Sequence, residues 1–220
     1  MTDRFEQTPR NRVRQIRDKA RYQHRAVEQV LDAAFVAQVG FVQDGLPVVV
    51  PMIYGRQAHT LYLHGARKAR IIKLLASQAQ VCINVTLVDG IVAARSAFNS
   101  SLQYRSATLF GEARLLDQGP EHVEALRVIT ENTIPGRWQE LRPPADRELK
   151  QTGVIAVEIE TASAKISAGE PDDEDEDYAT PVWAGVVPIK QTMGQPRDDG
   201  RLLAGVEVSP SIQRLVRQES

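Results

Sequence analysis

Along the middle of this chain, apolar and polar side chains alternate with a period of two, interrupted by Gly, Pro and Asp, and that pattern predicts strands. Val39-Gly40-Phe41-Val42-Gln43 and Leu46-Pro47-Val48-Val49-Val50-Pro51-Met52-Ile53-Tyr54 are joined by Asp44-Gly45, the strongest short-range hairpin signal a sequence offers. A second turn at Arg56 to His59 leads into Thr60-Leu61-Tyr62-Leu63. Val81 to Thr86 reads as a β-branched strand, and Asp89-Gly90 predicts another tight turn before Ile91 to Ala94. Tyr104 to Leu116 forms one long strand with Gly111 as a bulge or bend, and Gly153 to Glu160 alternates as a further strand.

Helical spacing appears in fewer places. Arg12 to Ala34 carries Val13, Ile16, Ala20, Val27, Val30 and Leu31 at intervals of three and four, predicting one long amphipathic helix. Ile71, Ile72, Leu74 and Leu75 predict a helix directly after His64-Gly65-Ala66. Glu121 to Thr133 follows Gly119-Pro120, with Pro120 at a first-turn position. A short terminal helix starts at Ser209-Pro210. Many strands, close turns and few helices favour an antiparallel barrel over a doubly wound sheet.

Composition narrows the class. The chain has 220 residues, 42% of them hydrophobic, enough for a real core. Its 27 Lys and Arg against 28 Asp and Glu leave a net charge of -1, which argues against an extended nucleic-acid footprint. No apolar run is long enough to span a bilayer, and the N-terminus, Met1 to Glu6, has no signal-peptide character. The single cysteine, Cys82, lies in an apolar strand and reads as a buried, inert thiol. These features predict a cytoplasmic protein.

The chemistry concentrates in one stretch. Arg67, Lys68 and Arg70 crowd the start of the helix after Gly65, where the macrodipole disfavours cations by roughly 0.3–1 kcal/mol each. Projected at the helical period, Lys68 shares the inward face with Ile71, Ile72 and Leu75. A bound anion at the helix N-terminus would resolve both conflicts; solvation of all three side chains is the alternative. A second polar cluster, Arg95 to Ser106, lies between strands and would hydrogen-bond a planar ligand or form an ordinary loop. The acidic run Glu170 to Asp177 lacks the spacing of a calcium loop and reads as a solvated loop. His24, His59, His64 and His122 show no metal-ligand spacing, and no serine elbow, P-loop or dinucleotide fingerprint is present.

In order along the chain, Gly40 to Pro51, Leu61 to Arg70, Val88 to Phe98, Tyr104-Arg105-Ser106, Pro135-Gly136-Arg137-Trp138 and Trp183 to Val186 together resemble the flavin-nucleotide-binding branch of the pyridoxamine 5'-phosphate oxidase family, related to nitroimidazole-resistance proteins. The resemblance runs from about Arg12 to Pro188. It implies a β-rich α+β fold, a split β-barrel homodimer holding FMN at the subunit interface, with residues 1–35 as a helical segment packed on the barrel, 36–190 as the barrel and 191–220 as an extension with a short helix. Carried over by position, Pro51, Met52, Ile53 and Tyr54 would pass under the isoalloxazine ring, and His64, Gly65 and Ala66 would lie along the flavin and ribityl chain. Arg67, Lys68 and Arg70 would grip the phosphate, with Lys68 the leading choice; Arg105 and Ser106 would reach ring or phosphate, and Trp183 would stack from the partner subunit. The expected activity is flavin-mediated oxidoreduction of a small molecule with no assigned catalytic side chain; a non-catalytic flavin binder, or a haem protein with His64 or His59 as axial ligand, or a deazaflavin protein, are the alternatives. The pyridoxamine-phosphate oxidases proper carry an arginine- and histidine-bearing C-terminal signature that Ser209 to Ser220 lacks, which argues against vitamin B6 oxidation.

Overall fold

The computed structural model describes residues 3–77 and 80–217. The readings that involve Met1, Thr2 and the last three residues fall outside them. In chain order the elements are β1 (Ala20–Arg21), α1 (His24–Asp32), β2 (Val36–Gln43), β3 (Leu46–Gln57), β4 (Thr60–Ala66), α2 (Arg70–Ser77), β5 (Gln80–Ala93), β6 (Ser101–Leu115), α3 (Pro120–Thr133), α4 (Asp146–Gln151), β7 (Thr152–Ser167), β8 (Gly185–Pro188) and α5 (Pro210–Arg217). The strands form one sheet in the order β1-β7-β4-β3-β2-β5-β6, with β8 added to β5 and β6 also paired with β7. This is the β-rich α+β class and the antiparallel sheet that the strand pattern favoured, in the split-barrel topology that the resemblance implied.

The chain divides into two compact units, one of Met1–Pro51, Gln80–Gly111 and Ile159–Lys190, the other of Met52–Ala79, Glu112–Glu158 and Gln191–Ser220. In the first, β2 pairs antiparallel with β5 and β5 with β8. The β2–β3 hairpin turns through Asp44 and Gly45 at φ 51 and 77, the left-handed pair that a two-residue turn of this type requires. Asp89-Gly90, however, is not a turn. β5 runs straight through it, and a Cβ at Gly90 would meet Gln103 Oε1 and Val186 Cγ1 at 3.1 Å. The glycine admits neighbouring strands instead of reversing the chain.

The long N-terminal helix also gives way. Only His24–Asp32 is helical; residues before it form a short 3-10 turn at Arg17–Lys19 and the strand β1, where Ala20 and Arg21 pair with Lys165 and Ala164. Arg10 to Arg25 holds seven basic residues and one acid, Asp18, so a helix there would set the single favourable i,i+4 pair, Arg14 with Asp18, against the like-charge pairs Arg10 with Arg14, Arg17 with Arg21 and Arg21 with Arg25. Buried Tyr22 accepts a hydrogen bond from Val13 N at 2.9 Å and pins the segment extended.

In the second unit β4 is central, pairing with β3 through Tyr54 to Gln57 and with β7 through Thr152 to Glu158. α3 covers it: Ala125, Val128 and Ile129 pack with Tyr62, Leu116, Val154 and Ala156 in one buried cluster. Burying such side chains contributes about 1.5–3 kcal/mol for each large one. Pro120 sits at the first turn of α3 and Asn132 Nδ2 donates to the Tyr54 carbonyl at 3.0 Å. The terminal helix α5 is tied by Ser211 N donating to Glu140 Oε1 at 2.8 Å.

Candidate functional site

The turn that follows β4 is built by a pair of glycines. Gly65 lies opposite Gly153 on β7, and cross-strand partners share a face. The space their missing Cβ atoms leave is taken by Ile72 of α2: a Cβ on Gly153 would stand 2.5 Å from Ile72 Cγ2 and 3.2 Å from Arg67 Cα, and one on Gly65 would stand 3.2 Å from Ile72 Cγ1. Ile72 and Leu75 are thereby buried, and α2 is drawn close under the end of β4. Arg67 N donates to the Gln151 carbonyl at 2.7 Å and Ala69 N to Ala66 at 2.7 Å, fixing the turn.

Helical backbone begins at Arg70, so Arg67 and Lys68 belong to the turn. The inward projection of Lys68 assumed a helix already under way and is corrected: Lys68 is exposed, and Arg67 is the half-buried cation. Arg67 Nη1 is buried without a hydrogen-bond partner, as are Nδ1 of His64 and both ring nitrogens of His122. An unsatisfied buried polar group costs about 1–3 kcal/mol, so these three side chains are placed to bind a polar ligand or water.

His122, which lacks metal-ligand spacing in the sequence, is fully buried in the first turns of α3. Burial lowers its pKa, and the positive charge of Arg67 lowers it further. Burial alone lowers that of His64. Both rings are therefore neutral at pH 7, each with one nitrogen able to accept a hydrogen bond or ligate. Arg67 and the histidines bring a fixed cation and two neutral imidazoles to one end of β4, an arrangement suited to the phosphate of a nucleotide or the polar edge of a planar cofactor.

The remaining predicted residues divide between the units. Met52 and Tyr54 are buried, while Ile53 faces out with 41% exposure, and all three belong with the turn. Gly65 is half-buried, and Ala66 and Arg70 are exposed. Pro51, Arg105, Ser106 and Trp183 fall in the first unit. There Arg105 holds Asp89 through Nε at 2.8 Å and Nη2 at 2.7 Å, and this fork lowers the Asp89 pKa. Ser106 Oγ reaches the Lys165 carbonyl at 3.5 Å. Trp183 is 68% exposed beside Gly185.

The acidic run is solvated, as expected, at Glu170, Asp172 and Glu174 to Glu176, but not at Asp173. Asp173 is buried, accepting from Arg95 N at 2.8 Å and Nη1 at 3.1 Å, while the Arg95 guanidinium lies 4.6 Å from the Tyr178 ring centroid. Burial would raise the Asp173 pKa, but the Arg95 amide and guanidinium hold it down. The run thus fastens the loop that precedes β6. Among the described residues no group of three or more His, Cys, Asp and Glu is placed to hold a metal, and no helix is long and apolar enough to cross a membrane. Cys82 is half-buried, and burial raises its pKa, keeping it a thiol.

The pyridoxamine 5'-phosphate oxidase family model matches residues 23–166. The flavocytochrome Anf3 from Azotobacter vinelandii is 38% identical over 94% of this chain and 97% of its own, with a TM-score of 0.89. An FAD and heme binding protein from Mycobacterium smegmatis is 38% identical over 90% of this chain and 97% of its own, with a TM-score of 0.86. A protein described as a 5-nitroimidazole antibiotic resistance protein, from Bacteroides thetaiotaomicron, shares the fold at 24% identity, covering 67% of this chain and 86% of its own at a TM-score of 0.57. No curated protein matches the chain.

Proposed function

The chain belongs to the pyridoxamine 5'-phosphate oxidase family, and on that premise we propose that it is a cytoplasmic flavoprotein that binds FMN and transfers electrons or hydride to or from a small molecule. The observation that carries this reading is the buried, unpartnered Nη1 of Arg67 at the turn between β4 and α2. The FMN phosphate satisfies it with a charge-assisted hydrogen bond, Lys68 and Arg70 add charge from the exposed side of the turn, and His64, Gly65 and Ala66 line the ribityl chain. The flavin supplies the redox chemistry; the protein orients it and sets the electrostatics around it.

We place the flavin at the interface of a homodimer. Val42, Leu46 and Val49 on the β2–β3 hairpin are 55%, 67% and 63% exposed, and Ile91 and Val187 are 46% and 49% exposed; apolar side chains so grouped on neighbouring strands mark an interaction surface. Pro51, Ile53, Arg105, Ser106 and Trp183 complete the proposed flavin contacts.

A second reading keeps the fold and adds haem, since a 38% identical relative binds FAD and heme. The half-buried, neutral ring of His64, with its buried and unpartnered Nδ1, would supply the protein ligand to the haem iron. The visible spectrum of the purified protein decides: twin flavin bands support the first reading, an added Soret band the second, and a colourless protein that binds neither group refutes both. Chromatography of the released flavin distinguishes FMN from FAD. Arg67→Gln is expected to weaken flavin binding about 10–150-fold, from roughly 1.5–3 kcal/mol for a hydrogen bond to a charged group; unchanged affinity refutes Arg67 as the phosphate ligand. Anaerobic mixing with NADH and NADPH tests turnover, and a flavin that neither bleaches favours a binding protein.

A further inference from the structure

The N-terminal segment, to which the resemblance assigns no ligand contact, forms an open concavity of about 410 Å³ lined by Gln7, Thr8, Pro9, Arg12, Arg14 and Arg17. No carboxylate lines it, and no described carboxylate pairs with Arg12, Arg14 or Arg17, although the chain as a whole carries 28 acids against 27 Lys and Arg. Three like charges around one concavity repel one another, and nothing in the fold requires them to converge.

The backbone that presents them is held firmly and under strain. Asn11, 2% exposed, accepts from Thr8 N at 2.7 Å and donates to the carbonyls of Glu6 at 2.8 Å and Ala162 at 3.1 Å. Val13 N donates to the Tyr22 hydroxyl. Between Arg14 and Arg17, Ile16 adopts the left-handed conformation at φ 54, a genuine outlier for a β-branched residue. Its side chain is 50% exposed, so core packing does little to offset the strain. Backbone strain of this kind is kept where it positions something, and what Ile16 positions is the pair of arginines on either side.

We propose that this arginine cavity is a second binding site, for the pyrophosphate group of a dinucleotide. Guanidinium forks bind phosphate oxygens two at a time, and three forks suit the four non-bridging oxygens of a P–O–P unit better than the three of a monophosphate ester. Gln7 adds a neutral amide donor to the lining, while the Thr8 hydroxyl is held by Asn11. No aromatic side chain lines the cavity, so affinity comes from the phosphates and not from base stacking. The volume lies within the usual range of small-molecule sites, about 300–1,000 Å³. The identity of the dinucleotide rests on the flavoprotein reading: it is either a flavin dinucleotide or a nicotinamide dinucleotide donor.

The test is calorimetric titration of inorganic pyrophosphate into the full chain loaded with FMN or with FAD. Saturable binding is expected, weakened about tenfold for each guanidinium removed and at least a hundredfold in R12Q/R14Q/R17Q, whose exposed positions leave thermal stability unchanged. Binding to both loaded forms assigns the cavity to a free donor; binding to the FMN form alone assigns it to the bound flavin's own pyrophosphate. Arg67→Gln is expected to lose flavin and keep pyrophosphate binding, whereas a parent protein that takes up no flavin yet binds pyrophosphate overturns the flavoprotein reading and leaves this site standing. No saturable binding to either form, or a triple variant that binds as the parent does and alters only the oligomeric state, overturns the site.

Discussion

Gly55→Ala probes the contact that seats α3 on the sheet. A Cβ at Gly55 would stand 2.7 Å from Cα and N of Ile129 and 2.7 Å from the carbonyl carbon of Val128. All three are main-chain atoms, so no rotamer change relieves the clash, and with ordinary contact beginning near 3.4 Å the helix and strand must part by roughly 0.7 Å. The gap opens beneath Ala125, Val128 and Ile129, where α3 meets Tyr62, Val154 and Ala156, and a displacement of that size forfeits a quarter to a half of each contact's dispersion energy. Overpacking of this kind costs about 1–3 kcal/mol, and a backbone obstacle places it at the upper end. Against it stands the smaller conformational freedom of Ala in the unfolded chain, about 0.4–1 kcal/mol. The clash wins by about 2 kcal/mol. For a chain of this size that lowers Tm by about 4–8 °C, read by circular dichroism and by the shift in urea midpoint. Gly169→Ala, where an added Cβ meets nothing within 4 Å, is the control and should stay within about 0.5 kcal/mol of the parent. A Gly55→Ala loss below about 1 kcal/mol refutes the close seating of α3 on β3.

Gly153→Ala drives a Cβ to 2.5 Å from Ile72 Cγ2 and 3.2 Å from Arg67 Cα; flavin retained on purification is expected to fall several-fold while the far-ultraviolet spectrum is preserved, and full retention refutes the glycine pair as the seat of the turn. His64 and His122 have folded pKa values below their ordinary 6.5, so the unfolded chain binds protons more readily and stability is expected to fall as pH drops through about 6.5 and below. Urea midpoints at a series of pH values check this, and His122→Leu should flatten the slope. A separate loss is expected below about pH 4.5, as Glu140 and Glu148, both lowered from 4.5 to about 2, are protonated. Val49→Asp places a charge on the exposed apolar hairpin and is expected to shift the protein from dimer to monomer in light scattering; a monomeric parent, or an unchanged dimer, refutes that surface as the interface.

The strand pattern was legible because its signals are local. Asp44-Gly45 supplies two residues that tolerate positive φ, and Pro120 opens α3 where its missing N–H has no partner to lose. Asp89-Gly90 carries the same local signal, yet the tertiary pairing of β5 with β8, Val92 to Val186 and Ile91 to Val187, overrides it. The N-terminal helix fails for a related reason: three- and four-residue spacing of Val13, Ile16 and Ala20 fits a helix, but the buried anchors Asn11 and Tyr22 and the pairing of β1 with β7 hold the segment out of a continuous helix.

At the site, the excess of cations without acids was visible in Arg67-Lys68-Arg70, but which cation turns inward depends on where the helix begins, and no Ser, Thr, Asp or Asn cap marks that point. Onset at Arg70 leaves Lys68 outside the helical phase and puts Arg67 against the β7 edge, beside a histidine brought by α3 from more than fifty positions along the chain. That pairing changes the electrostatics of the turn. A protonated His122 would add a second buried positive charge to Arg67, so the ring stays neutral, and the turn carries one uncompensated cation rather than two. A phosphate bound there reverses the sign of the field at His122 and draws its pKa back up, so that phosphate affinity and protonation of His122 reinforce each other by linkage. The three cations that looked misplaced at a helix end therefore resolve into two exposed charges and one half-buried guanidinium with a buried, unpartnered Nη1, beside a neutral histidine.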